Sequence, residues 1–385
     1  MTSNSLARGH MPDLLPNRDA TPESPRYVAP EVSYLLDYIV NVCFVGPAGA
    51  GDREWVLVDA GLPASAPRIK RAAAHLFGPD SRPAAIVLTH GHFDHVGALE
   101  TLVRDWDVQV YAHELELPYL TGRSSYPPPE PLVGGGAMSA LSFLYPKGPI
   151  DLGSSVRALP ADGSVPGMPG WRWIPTPGHS PGHVSLVRDV DRTLIAGDAF
   201  TTTKQESFTA VFAQRQEMHG PPMYFTPDWG AARTSLRHLA DYAPTAAITG
   251  HGPPMRSAKL QSELRRLASH FDQWARPAHG RYHDRPAITN ADGVVQVPPP
   301  VVSGRTLVLT GLAVGAAVGL AVAARRRHER SAADGSRALA DVAPDREQVL
   351  TVSEELTLER SSELSALDGG YDVTAAVTPS ASDLR

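Results

Sequence analysis

Cysteine is almost missing from this chain: Cys43 is the only one in 385 residues. No disulfide can form within the chain, and any metal site must be built from His, Asp and Glu rather than thiolate. A surplus of positive charge is missing too. The formal net charge is −6, so the electrostatic footprint of a nucleic-acid binder is absent and no such partner is expected. Residues 1–30 contain five prolines and no apolar stretch of the signal-peptide kind. They are expected to be a flexible Pro-rich leader on a protein made in the cytoplasm, and the lack of cysteine pairs agrees with that compartment. No internal repeat is visible.

What remains is an ordinary globular composition, 42% hydrophobic and 20% charged, long enough for one large core with appendages or for two modest domains. The acidity is local. Residues 331–385 hold 11 acidic and 4 basic side chains, so the first 330 are close to neutral and the tail at 325–385 is expected to be acidic and disordered.

Short apolar runs recur at 38–46, 54–61, 84–92, 108–113, 171–179, 193–198 and 246–252, each closed by Gly, Asp, His or Pro. Their length and β-branched content predict buried strands. Apolar stripes at spacings of three and four predict helices at 67–77, 96–104, 229–242 and 257–275. Strands interleaved with helices imply a layered α/β domain over 31–300. Residues 118–149 interrupt the rhythm with three consecutive prolines and three consecutive glycines. A loop this long inside a domain is either a lid or pocket wall, or a surface excursion.

Residues 306–324 (TLVLTGLAVGAAVGLAVAA) carry no charge and are followed by Arg325, Arg326 and Arg327. That length predicts a single membrane-spanning helix. Gly311, Gly315 and Gly319 fall on one face of it, the small-residue spacing that permits close packing of two such helices as a dimer. The domain over 31–300 is expected to be cytoplasmic or membrane-associated, facing the cytoplasm.

The chemistry is concentrated in THGHFDH at 89–95. His90, His92, Asp94 and His95 leave one very short loop directly after the apolar run AIVL, and imidazole with carboxylate is a donor set for zinc, iron or manganese. Further candidates close later runs: His179 in TPGHSPGH, Asp198 in TLIAGD and His251 in TGHGPP. Side chains that each stand just past a strand end can converge on one edge of a sheet sandwich. A cation held there would lower the pKa of a bound water toward neutrality and polarise a carbonyl or phosphoryl oxygen.

HxHxDH, PGHxxGH, GD and GHG in this order, preceded by VDAG, resemble the metallo-β-lactamase superfamily, particularly its glyoxalase II-like and lactonase-like branches. The resemblance spans 32–300 and implies a four-layer αββα sandwich with a dinuclear site at one sheet edge. It implies that His90, His92 and His179 hold the first metal, Asp94, His95 and His251 the second, and that Asp198 bridges both. The ions would be two divalent metals, zinc first, with iron or manganese as alternatives. Asp59 of VDAG would orient a ligand histidine, the bland alternative being a strand-ending turn residue. His183 would orient its neighbours, and two cations ~3.5–4 Å apart would share a water whose proton Asp94 or Asp198 could relay to the leaving group. The implied activity is hydrolysis of a small-molecule ester, lactone or thioester. Relatives that use iron for persulfide oxidation, or that cleave phosphodiesters, are the alternatives. Lactonases of this family often carry a tyrosine three residues after the bridging Asp; Thr201 stands there, leaving Tyr224 or Tyr126 to substitute. His219, Tyr224, Phe225 and Trp229 could line the pocket. Lys204 could meet an anionic substrate or be a solvated surface residue. His75, His113 and His238 are expected to be structural.

Overall fold

The computed structural model describes residues 24–301. These form a seven-stranded sheet in which β1 (Arg26–Ala29), β2 (Val32–Asp37), β3 (Val40–Val45), β4 (Val56–Val58), β5 (Ala85–Val87), β6 (Val110–Ala112) and β7 (Val156–Ala158) lie in sequence order. A second sheet has the order β12 (Met255–Arg256), β11 (Ala246–Ile248), β10 (Thr193–Ile195), β9 (Val184–Arg188), β8 (Trp171–Pro175). A hairpin of β13 (Ile288–Asn290) and β14 (Gly293–Gln296) follows.

The layering comes from strict alternation along strands that bury both faces. Val56 and Val58 of β4 face a core shared with Val184, Leu186, Ile195 and Ile248 of the second sheet, so the two sheets pack face to face. Leu57, between them, points the other way with Phe44 and Ile86, into a core closed by Ile69, Leu76, Leu99 and Leu102 from the helices Ala66–Phe77 and Leu99–Trp106. On the far side, Val187, Leu194 and Ala247 meet Leu236, Leu239, Leu260 and Leu264 from the helices Trp229–Tyr242 and Ser257–Ser269. Helices cover both outer faces, giving an αββα sandwich. A strand apolar at every position is the sequence mark of burial on both sides, which is why the short runs were readable.

Several boundaries differ from expectation. The leader expected over 1–30 ends sooner, because Arg26–Ala29 is a strand: it pairs antiparallel with β2 and buries Val28 and Ala29 between the sheets. Four residues between Pro25 and Pro30 are too few to show a period. The run at 38–46 holds one strand, β3, and its first two residues, Tyr38 and Ile39, form the turn of a hairpin with β2. Tyr38 turns the chain at φ 60°, and its ring is stacked by Arg68, whose guanidinium carbon lies 4.5 Å from the centroid. The helix expected at 96–104 is a short turn, Phe93–Val96, then Leu99–Trp106. The helix expected at 257–275 breaks at His270 into Ser257–Ser269 and Phe271–Trp274.

Residues 118–149 are packed, not loose. Val133, Met138 and Tyr145 join Phe93, Tyr224 and Phe225 in one apolar cluster beside the histidine loop. Leu144, however, is exposed. The expected span at 306–324 with Gly311, Gly315 and Gly319, the acidic tail and residues 1–23 lie outside the described residues. Among the described residues no helix is long and apolar enough to cross a membrane.

Candidate metal centre

Every candidate ligand leaves the end of a strand. His90, His92, Asp94 and His95 follow β5; His179 lies between β8 and β9; Asp198 follows β10 and His251 follows β11. Strands β4 and β5 are parallel, as are β10 and β11, so their carboxyl ends open on one edge of each sheet. The two sets of loops meet there, tied by the Val184 amide donating to the Thr89 carbonyl at 2.9 Å.

All seven side chains are buried. They fall into three groups of close donor atoms: His90, His92 and His179; His90, His95 and Asp198; and Asp94, His95 and His251. Within the cluster, Asp198 Oδ2 is 3.4 Å from His179 Nε2 and 3.2 Å from His251 Nε2. Asp94 Oδ2 is 3.3 Å from His251 Nε2. Asp198 thus stands between the first and third groups. Gly250 is required for this approach, because a Cβ there would lie 2.0 Å from Asp198 Oδ1.

The outer hydrogen bonds set the tautomers. The Thr89 hydroxyl donates to Asp59 Oδ2 at 2.8 Å, so it must accept from His90 Nδ1–H at 3.1 Å. His95 Nδ1–H donates to the same Asp59 oxygen at 2.8 Å. His251 Nδ1–H donates to the Ile39 carbonyl at 2.7 Å. The Thr226 hydroxyl donates to the Pro222 carbonyl, so it accepts from His179 Nδ1–H at 3.3 Å. In all four rings the outer nitrogen carries a proton, so Nε2 is the atom that faces inward; its lone pair is free on His90 and His179, and on His95 and His251 once their second proton has left. His92 presents Nδ1 instead, 2.9 Å from His179 Nε2. His90 Nε2, His95 Nε2 and Asp198 Oδ1 are buried and make no hydrogen bond. Each such atom costs ~1–3 kcal/mol unless something electropositive meets it. A pocket of inward lone pairs and two carboxylates fits divalent cations.

The protonation states agree. Burial and neighbouring imidazoles hold His90 well below the usual histidine range. Burial takes His92 down to about 4 and lowers His179 strongly. Around Asp198, burial opposes ionisation, but His251 and His95 outweigh it and keep the carboxyl well below the ordinary range. Conversely, burial opposes charge on His251, yet Asp198 and Asp94 push it up to about 10. Without a metal, the two carboxylates take protons on His95 and His251 as their counter-charge.

The metallo-β-lactamase superfamily model matches residues 36–251. The chain belongs to that superfamily. This metallo-hydrolase is 49% identical over 235 residues to the probable metallo-hydrolase YflN of Bacillus subtilis strain 168, covering 61% of this chain and 89% of that one. It is 30% identical over 202 residues to the probable metallo-hydrolase YybB of the same organism, covering 52% and 77%. Among solved structures, TTHA1623 in a di-iron-bound form is 28% identical and covers 58% of this chain and 92% of its own, with a TM-score of 0.37.

Within the metallo-hydrolase, Asp59 accepts from His95 and from the Thr89 amide and hydroxyl, so it touches a candidate ligand without joining a metal group. His183 likewise stands outside the groups. Its Nε2 accepts the Asp198 amide at 2.8 Å, and its Nδ1–H donates to the Thr176 hydroxyl at 2.8 Å. Thr176 passes the bond to Ser185, which donates to the Ala196 carbonyl at 2.9 Å. Burial takes His183 down to about 3, so it stays a neutral acceptor.

Tyr126 does not offer its hydroxyl to the opening: that group donates to Glu116 and accepts the Gly91 amide. The Thr201 hydroxyl is turned to the Thr203 and Gly220 carbonyls. Phe225 stacks on His92 with centroids 4.9 Å apart, while Tyr224 is buried beside it. Trp229 packs on Phe271 in the helical core. His219 lines a different cavity with Arg266 and Trp274. Lys204 is exposed. His113 caps the turn Glu114–Glu116 by accepting the Leu115 amide. Sequence reasoning passed over Glu116, Ile39, Thr89, Thr176 and Thr226. Only Thr89, adjacent to His90, carried a local signal.

Proposed function

We propose that the chain hydrolyses a neutral carbonyl ester, lactone or thioester, using two divalent cations, zinc first, held by His90, His92 and His179 on one side and Asp94, His95 and His251 on the other, with Asp198 between them. The inward-facing Nε2 atoms, set by the four outer hydrogen bonds, are the observation that carries this reading. When bound, the cations would make a water nucleophilic near neutral pH and polarise the substrate oxygen. Asp94 and Asp198 would hold and pass the proton at their Oδ2 atoms. Asp59 would keep His95 in its metal-binding tautomer, and His183 would hold the Asp198 backbone in place.

The substrate class follows from the wall beside His92 and His179. Tyr126, Phe225, Tyr282 and three prolines form that wall, and it includes no lysine or arginine. That supports an apolar, uncharged acyl or alcohol portion over an anionic one.

The test is a screen of the full chain, loaded in turn with zinc, manganese and iron, against aryl esters, lactones, thioesters and phosphodiesters, with His92→Ala as control. Turnover of neutral esters or lactones that His92→Ala loses by at least a hundredfold is expected. Binding of less than one metal per chain, equal turnover by the variant, or preference for phosphodiesters would overturn the proposal.

A further inference from the structure

Glu116 lies 0% exposed between two loops that belong to different sheets. Oε1 accepts the Ser180 hydroxyl at 2.8 Å and the Gly182 amide at 2.7 Å, both beside His179. Oε2 accepts the Gly91 amide at 3.0 Å, between His90 and His92, together with the Tyr126 hydroxyl. One oxygen serves each loop, and all four lone-pair sites of the carboxylate are filled. The glycines make the approach possible. A Cβ on Gly182 would lie 2.9 Å from the Glu116 backbone nitrogen, and one on Gly91 would lie 2.5 Å from the Tyr126 hydroxyl oxygen. Glu116 itself ends a rigid turn just after β6, capped by His113.

We propose that Glu116 is a positioning residue that sets the affinity of the metal position formed by His90, His92 and His179, and leaves the position formed by Asp94, His95 and His251 to other supports. This rests on the dinuclear reading above. Glu116 holds the backbone beside His90, His92, His179 and His183, and makes no hydrogen bond beside Asp94, His95 or His251. The second position is braced from elsewhere: Asp59 orients His95, and the Ile39 carbonyl orients His251. Removing an outer-shell partner that hydrogen-bonds a metal ligand typically costs ~10–100-fold in affinity, and Glu116, which holds the ligand loops through their backbone, is expected to act within that range.

Glu116→Gln keeps the volume but not the bonding. Its amide oxygen can serve one loop; its NH2 then faces either the Gly91 or the Gly182 amide, donor against donor, and that loop is released. Metal content is measured by equilibrium dialysis against buffered zinc, with visible spectra of the cobalt-loaded protein as a second readout. Wild type is expected to take up two equivalents. Glu116→Gln is expected to retain one at wild-type affinity and to need ~10–100-fold more free metal for the other, with the metal-free protein still folded and its melting temperature lowered. His251→Ala is expected to lose the opposite equivalent, and its cobalt spectrum identifies which position each variant keeps. Ser180→Ala, which leaves Glu116 three donors, weakens the same position by several-fold and decides the matter if Glu116→Gln fails to fold. Wild type binding fewer than two equivalents sinks the dinuclear reading. Two equivalents in wild type with both affinities unchanged, or both equally weakened, in the Glu116 and Ser180 variants sinks the role given to Glu116 alone.

Discussion

Asp59→Asn changes one oxygen into an NH2 and should reverse two histidines at once. Asp59 Oδ1 accepts the Thr89 amide, which fixes the side-chain oxygen of the asparagine there. The NH2 then replaces Oδ2, which in the wild type accepts from both the Thr89 hydroxyl and His95 Nδ1–H. Facing a donor, His95 must move its proton to Nε2, and the lone pair needed for metal is lost. The Thr89 hydroxyl must accept from the new NH2 and turn its own proton toward His90 Nδ1, so His90 shifts its proton to Nε2 as well. Each reversal forfeits the orientation of one ligand, ~10–100-fold in metal affinity, or about 1.4–2.8 kcal/mol. Acting on two rings, the change is expected to weaken metal binding by ~10²–10⁴-fold. Thr89→Val removes the acceptor for His90 alone and should cost only ~10-fold. Competition with a chromophoric chelator measures both, and nitrogen-15 shifts of the imidazoles report the tautomers directly. Metal affinity of Asp59→Asn within threefold of wild type would refute the tautomer argument.

Metal loading at pH 7.5 should release about two protons, because His95 and His251 are protonated in the metal-free protein and must be neutral to bind. Calorimetry in buffers of different ionisation enthalpy counts them, and affinity should climb with pH until about 10; release of none would contradict the assignment. In the metal-free protein the folded His251 value of about 10 lies above the unfolded ~6.5. Its stabilising contribution is therefore complete below pH ~6.5 and lost as pH rises through about 10, and the metal-free melting temperature should fall over that window. His183→Ala leaves the Asp198 amide without its acceptor and should lower stability by ~1–3 kcal/mol, read by urea unfolding, and reduce metal content. Gly250→Ala drives a methyl against Asp198 Oδ1 and His95 Cε1, and should abolish high-affinity metal binding while helix content by circular dichroism persists; wild-type metal content would show the loop to be more compliant than the geometry implies.

Much of the candidate metal centre is legible from the residues before folding is considered, and the reason is local. His90, His92, Asp94 and His95 share one short loop, and His179, Asp198 and His251 each stand just past an apolar run; spacing and run ends are properties of neighbouring residues. The runs themselves announced strands buried on both faces, as at Val56–Val58 and Ala85–Val87. Arg26–Ala29 was not announced, since four residues show no period and the strand exists only by pairing with β2.

The amino-acid order alone determined which side chains are available to hold metal and that they follow strands of an α/β sandwich. Tertiary structure alone decided which nitrogen of each ring faces inward, because the deciding acceptors come from far along the chain: the Ile39 carbonyl for His251, Thr226 for His179 and Asp59 for His95. It also decided Glu116, which in HELEL has the pattern of an ordinary surface acid. Two loops from separate sheets close over it, and no local pattern encodes a contact whose partners are brought together only by the packing of the sheets.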